Sequence, residues 1–347
     1  TCINPETGGS QSIIGVFPQG KMDIYRVIFD DGAVAHVTLD HLWTYKCANR
    51  KRPGSKKSSQ RDYVRGVLGL EAEVSGRYAH FKVGTTQELM SELERGGHNP
   101  RIPLTAPVCF SVNGRTGTGD VPAYLLGLML GDGTFAGSSA GHRMTVQDPE
   151  TASYLMECGF AQSGQRENAE GVNLEWYLPT STELHKKLTG WCTRHGLKGK
   201  AGKEKFVPDY VFTANIEYRL EFLQGLLDSD GYVDSRGHVE FTSISDSLVY
   251  GVQDLVRSLG GKATVSDPVT GTYRDPEGNA VECQSYRRVY IQSNVASKFF
   301  KLSRKSQRCT DSWNGGHENM RKVVSIEYSH REEATCIKVS SPHGLFV

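Results

Sequence analysis

The sequence has no Cys-x-x-Cys pair among its 8 cysteines. Cys2, Cys47, Cys109, Cys158, Cys192, Cys283, Cys309 and Cys336 stand singly, which argues against a structural zinc site, because such sites draw on closely spaced thiolates. No apolar run approaches the roughly 18 residues of a membrane span, and no basic, apolar, small-residue signal opens the chain. The expectation is a protein with reduced thiols, no membrane partner and a cytoplasmic location. Net charge is also lacking: 40 Lys and Arg face 39 Asp and Glu, leaving +1. Bulk charge therefore selects no partner.

What is present is local. The 347 residues suffice for about two domains. RKRPGSKKSSQRDYVR (50–65) holds seven basic residues and one acid. KKLTGWCTRHGLKGKAGKEK (186–205) holds seven against one glutamate, and KLSRKSQR (301–308) holds four and no acid. Three such clusters in a near-neutral chain lean towards a polyanion, because phosphate contacts need lysine and arginine locally.

YLLGLMLGDGTF (124–135) ends an apolar run on Gly-Asp-Gly. A helix C-terminus already carries partial negative charge, so Asp132 there is disfavoured by roughly 0.5 kcal/mol unless something positive lies beside it. The plain alternative is a buried helix with Gly133 as a left-handed cap. LQGLLDSDGYV (223–233) repeats the pattern, with glycine third, leucine fourth and Asp-Gly at the eighth and ninth places. Each copy is followed by an alternating stretch, a polar turn and apolar residues at helical spacing, in 141–160 and 237–261.

Gly127 and Gly225 interrupt the leucines of the two runs. Glycine in mid-helix costs about 1 kcal/mol against alanine, a cost that close helix crossing would explain. Two helices crossing there would set Asp132 beside Asp230. Divalent cations, magnesium by the oxygen-rich donor set, would neutralise the pair. Paired metal-bound carboxylates near basic surface suggest phosphodiester hydrolysis. A calcium loop is excluded in 228–240, where Tyr232 stands for an oxygen ligand and Val233 for the required glycine. GRTGTGD (114–120) lacks the strand–glycine loop–helix setting of a nucleotide site.

The two runs resemble the signature helices of the LAGLIDADG homing endonucleases of the single-chain, two-repeat type. The resemblance implies an α+β fold: a pseudo-two-fold pair of αββαββα halves (about 120–215 and 216–310) whose saddle-shaped antiparallel sheets sit on double-stranded DNA. It implies a monomer making metal-dependent double-strand breaks, with short 3′ overhangs, in a long target. It puts the catalytic, metal-binding acids at Asp132 and Asp230. EKFVPDYVF (204–212) is similar to the family's Lys-x-Ile-Pro segment and places Lys205 in the first basic pocket; FFKLSRKSQR (299–308) places Lys305 in the second. Leu130 stands where the second copy has Asp228, a place that varies in the family.

The strands offer candidate DNA contacts. YRRVYIQSN (286–294) alternates, with Arg288, Tyr290 and Gln292 on one face and Val289 and Ile291 on the other. HVEFTS (238–243) turns His238 outward. Arg143, Arg304 and Arg308, with Lys51 and Arg52 of the first basic run, complete the set.

The flanks form a second device. IIGVFPQGKMDIYRVIFDDGAVAHVTLDHLW (13–43) reads as short strands with a Phe-Pro-Gln-Gly turn and an Asp-Asp-Gly hairpin. Residues 84–108 read as a short helix and an extended connector, and 323–347 as alternating strands. Together, 1–110 and 320–347 resemble the all-β Hint-type splicing domain of an intein, around an endonuclease stretch at 111–319. VTLDHLW matches its Thr-x-x-His block at Thr38 and His41, and ATCIKVSSPHGLFV matches its C-terminal block at His343. The opening TCINPETGG does not provide the expected nucleophile, and no terminal His-Asn follows GLFV. The chain as given is therefore expected not to splice itself. The leading expectation is an intein-associated endonuclease of a bacterial, archaeal or phage-infected cell. The alternatives are a splicing element with a decayed endonuclease and a maturase-like nucleic-acid binder.

Overall fold

The computed structural model describes residues 1–47, 81–96, 99–110, 121–135, 141–168, 171–275, 278–311 and 320–347. Lys51 and Arg52, the rest of the 50–65 run and the 114–120 segment lie outside the described residues. The chain divides into two compact units, Thr1–Val108 with Gly315–Val347 and Cys109–Asn314.

The first unit opens with β1 (Cys2–Ile3), β2 (Ser10–Gln11), β3 (Ile13–Phe29), β4 (Val34–Val37), β5 (Leu42–Tyr45), β6 (Lys82–Thr85), α1 (Thr86–Glu94) and β7 (Arg101–Pro103). The second holds α2 (Ala123–Gly131), β8 (Gly133–Thr134), β9 (His142–Val146), α3 (Pro149–Glu157), β10 (Ala161–Asn168), β11 (Gly171–Leu178), α4 (Glu183–Arg194), α5 (Asp209–Phe212), α6 (Ile216–Asp230), β12 (Gly231–Val233), β13 (Val239–Ser243), α7 (Asp246–Ser258), β14 (Lys262–Val265), β15 (Thr272–Arg274), β16 (Ala280–Glu282), β17 (Arg287–Gln292) and α8 (Ser303–Ser306). The last strand, β18 (Met320–Val339), returns to the first unit.

In that unit β3 and β18 pair antiparallel along their lengths, in a sheet ordered β4-β3-β18-β7. Val27, Phe29, Tyr45, Leu89 and Val323 make its small core. Thr85 and Glu88 cap α1 reciprocally, Thr85 Oγ1 accepting the Glu88 N–H at 3.2 Å and Glu88 Oε2 the Thr85 N–H at 2.8 Å. Asp30-Asp31-Gly32 is the turn between β3 and β4, with Gly32 at φ 78°. Phe17-Pro18-Gln19-Gly20, expected as a turn, runs inside β3 instead. Phe17 pairs with Cys336, Pro18 with Thr335 and Gly20 with Ala334, so Gln19 is an extra residue at a bulge and Gly20 takes φ 71°. Proline fits a strand at such a defect, where its missing N–H breaks no ladder.

In the second unit the same element order, helix, two strands, helix, two strands, helix, occurs twice, with the short α5 between the two and the β15–β16 hairpin added in the second. The sheets are ordered β8-β9-β11-β10 and β12-β13-β17-β14, so the third and fourth strands swap places in both. Buried residues alternate with open ones: Met144 and Val146 lie inside β9, Val239 and Phe241 inside β13, Val289 and Ile291 inside β17. One continuous apolar core runs through both halves. Helix α2 is buried at every position from Ala123 to Leu130 because it packs against α6 as well as within its own half.

Candidate active site

The helices α2 and α6 meet through their glycines. A methyl group on Gly127 would fall 2.2 Å from the Phe222 carbonyl oxygen and 2.9 Å from the Gly225 Cα. One on Gly225 would fall 2.2 Å from the Tyr124 carbonyl oxygen and 2.8 Å from the Gly127 Cα. Equivalent places of the two motifs thus touch each other's backbone. Lower down, a methyl group on Gly131 would strike Ser229 Oγ and come within 3.3 Å of Asp230 Oδ2. Ser229 holds the place in α6 that Gly131 holds in α2. The crossing therefore brings the two helix tips together.

Asp132 caps α2, its N–H donating to the Leu128 carbonyl at 3.0 Å, and Asp230 is the last residue of α6. The glycines that follow do not take the expected left-handed cap: Gly133 has no positive φ and Gly231 has φ −83°. Each opens a strand that folds straight back on its helix. A methyl group on Gly133 would lie 2.6 Å from the Met129 carbonyl oxygen, and one on Gly231 would lie 2.3 Å from that of Leu227. Close approach, not handedness, explains these glycines.

The positive groups beside the acidic tips are lysines. Lys205 and Lys305 are 7% and 6% exposed. Lys205 Nζ donates to the Gly131 and Gly133 carbonyls at 2.8 Å each, with Met129 at 3.5 Å. Lys305 Nζ donates to Leu227 at 2.9 Å, Asp228 at 2.8 Å and Gly231 at 2.6 Å, with Ser229 at 3.4 Å. The two ammonium groups do the same work at equivalent carbonyls. They satisfy helix-end oxygens that have no partner within the helix, and they set a full positive charge against the negative end of the dipole.

Packing around the Asp230 carboxyl, then the neighbouring Asp132 charge, pushes it up to about 7, against the pull of Lys205 and Lys305. Asp132 is raised by the atoms packed round its carboxyl, opposed by Lys305 and then Lys205, although the residue as a whole keeps an exposed surface. Burial pulls Lys305 down to about 8, with Asp228 opposing. Lys205 is lowered by burial, with Asp230 and Asp132 opposing. Two carboxylates and two ammonium groups cancel in formal charge.

Among the described residues no group of three or more His, Cys, Asp or Glu side chains could hold a metal ion. Two adjoining carboxylates do fit a hard cation that takes its remaining ligands from water and phosphate oxygens, the usual habit of magnesium.

Asp228 and Tyr124 were not among the expected site residues. Asp228 is 5% exposed, and its carboxylate accepts from the Tyr124 hydroxyl at 2.8 Å and from the backbone N–H of Lys301 at 2.9 Å. The only trace in the sequence is that the second motif carries an acid where the first carries Leu130.

The candidate DNA contacts fall in three settings. Arg143 on β9 is exposed, opposite Tyr177 of β11. Tyr290 and Gln292 are exposed on β17, and Arg288, on the same face, lies 3.8 Å from Glu240 and 3.3 Å from the Tyr286 hydroxyl. His238 lies 3.2 Å from Asp234 at the hairpin between β12 and β13. Arg308 is exposed, whereas Arg304 is ion-paired with Asp148, the residue that caps α3.

In the first unit the His41 ring stands edge-on to Trp43 at 5.0 Å and to Phe346 at 6.2 Å, and burial lowers its pKa. The His41 backbone N–H donates to the Thr38 carbonyl at 3.3 Å. His343 Nδ1 lies 2.8 Å from Glu6 Oε2. Val347 and Ile3 exchange backbone hydrogen bonds of 3.0 and 3.1 Å.

Residues 206–309 match the family model described as homing endonuclease. An 89-residue stretch, 23% of the chain, is 37% identical to the homothallic switching endonuclease of Saccharomyces cerevisiae and covers 15% of that protein. Over 329 residues, 93% of the chain, identity is 25% to the replicative DNA helicase DnaB of Mycobacterium intracellulare, covering 48% of it. The chain thus spans half or less of the length of these curated relatives. Among solved structures, a variant of I-DmoI in complex with its target DNA in the presence of manganese is similar with TM-score 0.31 and 14% identity, over 51% of this chain and 89% of that one. The homing endonuclease I-WcaI bound to its DNA recognition sequence gives TM-score 0.35 and 11% identity, over 55% and 86%.

Proposed function

We propose that the second unit is a LAGLIDADG-type endonuclease, a monomer with internal pseudo-two-fold symmetry that cuts both strands of a long double-stranded DNA target. The observation that carries this reading is the crossing of α2 and α6, which presents Asp132 and Asp230 together with a buried lysine behind each. The match of residues 206–309 to the homing endonuclease model supports it over the second half.

Asp132 and Asp230 would hold a divalent cation, magnesium in the first instance. When bound, such an ion polarises the scissile phosphate and eases loss of a proton from the attacking water. The chain's own contribution is geometric and electrostatic. The glycine crossing fixes the separation of the carboxylates. Lys205 and Lys305 keep the site near neutral, so that a phosphodiester anion can approach acidic helix ends. The open faces of the two sheets would seat the duplex, with Arg288 suited to guanine and Gln292 to adenine.

The test is cleavage of a randomised duplex library with magnesium, followed by recovery of the cut sites. Asp132→Asn and Asp230→Asn should each abolish cleavage while leaving the fold intact. Unchanged cutting by either variant removes the catalytic assignment.

A second reading concerns the first unit. Thr38, His41, His343 and the Glu6–His343 pair lie in one unit, and the alignment with a DnaB helicase runs through the flanks as well as the endonuclease stretch. These observations support an intein-associated Hint-type domain. Fusing peptides with an N-terminal cysteine and a C-terminal His-Asn-Cys should restore cleavage or ligation at the junctions; inert fusions would remove this reading.

A further inference from the structure

We propose that Asp228 is a positioning residue that aims Lys305, so that one half of the cutting machinery depends on a carboxylate the other half lacks. The inference rests on the endonuclease reading and deepens it.

Asp228 grips the Lys305 segment at both ends. Its side chain accepts the backbone N–H of Lys301 at 2.9 Å and of Leu302 at 3.2 Å. Leu302 is the N-cap residue just before α8, and its carbonyl accepts the Lys305 N–H at 3.0 Å. The Asp228 backbone carbonyl then accepts the Lys305 ammonium at 2.8 Å. A carboxylate this deeply buried is costly unless its lone pairs are filled. The third donor is Tyr124, from the opposite half's helix, at 2.8 Å. Lys301 Nζ in turn stands over the Tyr124 ring at 4.5 Å.

The equivalent places in the other half are apolar. Leu130 replaces Asp228 and Phe222 replaces Tyr124, and both are fully buried. There Lys205 follows a 3-10 turn at Gly202–Glu204, in which Gly202 takes φ 46°. Lys205 still reaches its carbonyls at 2.8 Å. Two lysines with matching partners are thus supported by different means, and Tyr124 ties the first helix to the second half's lysine.

The test uses the full chain and a duplex selected from the library, with each strand end-labelled separately. Lys305→Met first identifies the strand that depends on Lys305. Asp228→Asn should slow that strand by about 10-fold to 100-fold, the scale of a small misplacement, and leave the other within about 2-fold, so nicked product accumulates. Tyr124→Phe should slow the same strand less. If Asp228→Asn does not fold, the pair Asp228→Leu with Tyr124→Phe copies the apolar arrangement of the first half and serves in its place. A purely structural role would lower both rates together; equal slowing, or no slowing, overturns the inference alone. Amide exchange at Lys301 and Leu302 reads the grip without DNA: it should accelerate in Asp228→Asn, and unchanged exchange overturns the inference. A wild-type chain that cuts no duplex, with exchange still accelerated, overturns the endonuclease reading and with it the assigned purpose of the grip.

Discussion

Gly127 and Gly225 lie so close that a methyl group on Gly225 would be 2.8 Å from the Gly127 Cα. Neither glycine has positive φ, so each is there for proximity, and each makes room for the other helix's carbonyl. That contact sets where the helix tips, and hence Asp132 and Asp230, come to rest.

Gly127→Ala and Gly225→Ala should each destabilise the chain by about 2–4 kcal/mol, the scale of an overpacked core, read by urea unfolding. Gly190, on α4, is the control, because a methyl group there would meet no atom within 4 Å. At that position alanine should stabilise by about 0.5–1 kcal/mol through helix propensity alone.

Lys205→Met or Lys305→Met should cost about 2–4 kcal/mol. Each leaves buried carbonyl oxygens without a donor and removes a cation from beside two carboxylates. Thermal unfolding at constant pH measures the loss. A change under about 0.5 kcal/mol would show that the carbonyl contacts are incidental.

The pH dependence follows from Asp230. Its carboxyl stands near 7 in the folded chain and near 3.9 unfolded. Below about pH 3 both states are largely protonated and this group has little effect. As pH rises towards 7 the unfolded chain ionises first, so the folded state loses stability; above 7 the loss is complete. Metal-free Asp230→Asn should therefore exceed the wild type by about 4 kcal/mol at pH 8 and match it near pH 3. Magnesium should stabilise the wild type and leave Asp230→Asn almost unmoved.

Arg288→Ala should relax base preference at one position of the target by about 1–3 kcal/mol and barely change the salt dependence of binding. A uniform loss across all sequences would make Arg288 a phosphate contact. Arg304→Ala should change stability by less than about 1 kcal/mol, because the arginine end of its pair with Asp148 is solvent-exposed.

Much of the fold could be read from local signals. The leucine spacing, the repeated Asp-Gly endings and the alternation in 286–294 correspond to α2, α6 and β17. Pro18 misled because Phe-Pro-Gln-Gly has turn chemistry, while its pairing partner lies more than 300 residues away in β18.

By itself the sequence determined period, punctuation and duplication, because side-chain spacing and glycine sterics act over a few residues. Only the tertiary structure decided which oxygens Lys205 and Lys305 would bind, that Arg304 would be bound to Asp148, and that Asp228 would join Tyr124 to the Lys301–Leu302 turn. The physical reason is that a buried charge must be matched by whatever polar groups folding brings to it, and those groups come from segments some 70 to 160 residues apart.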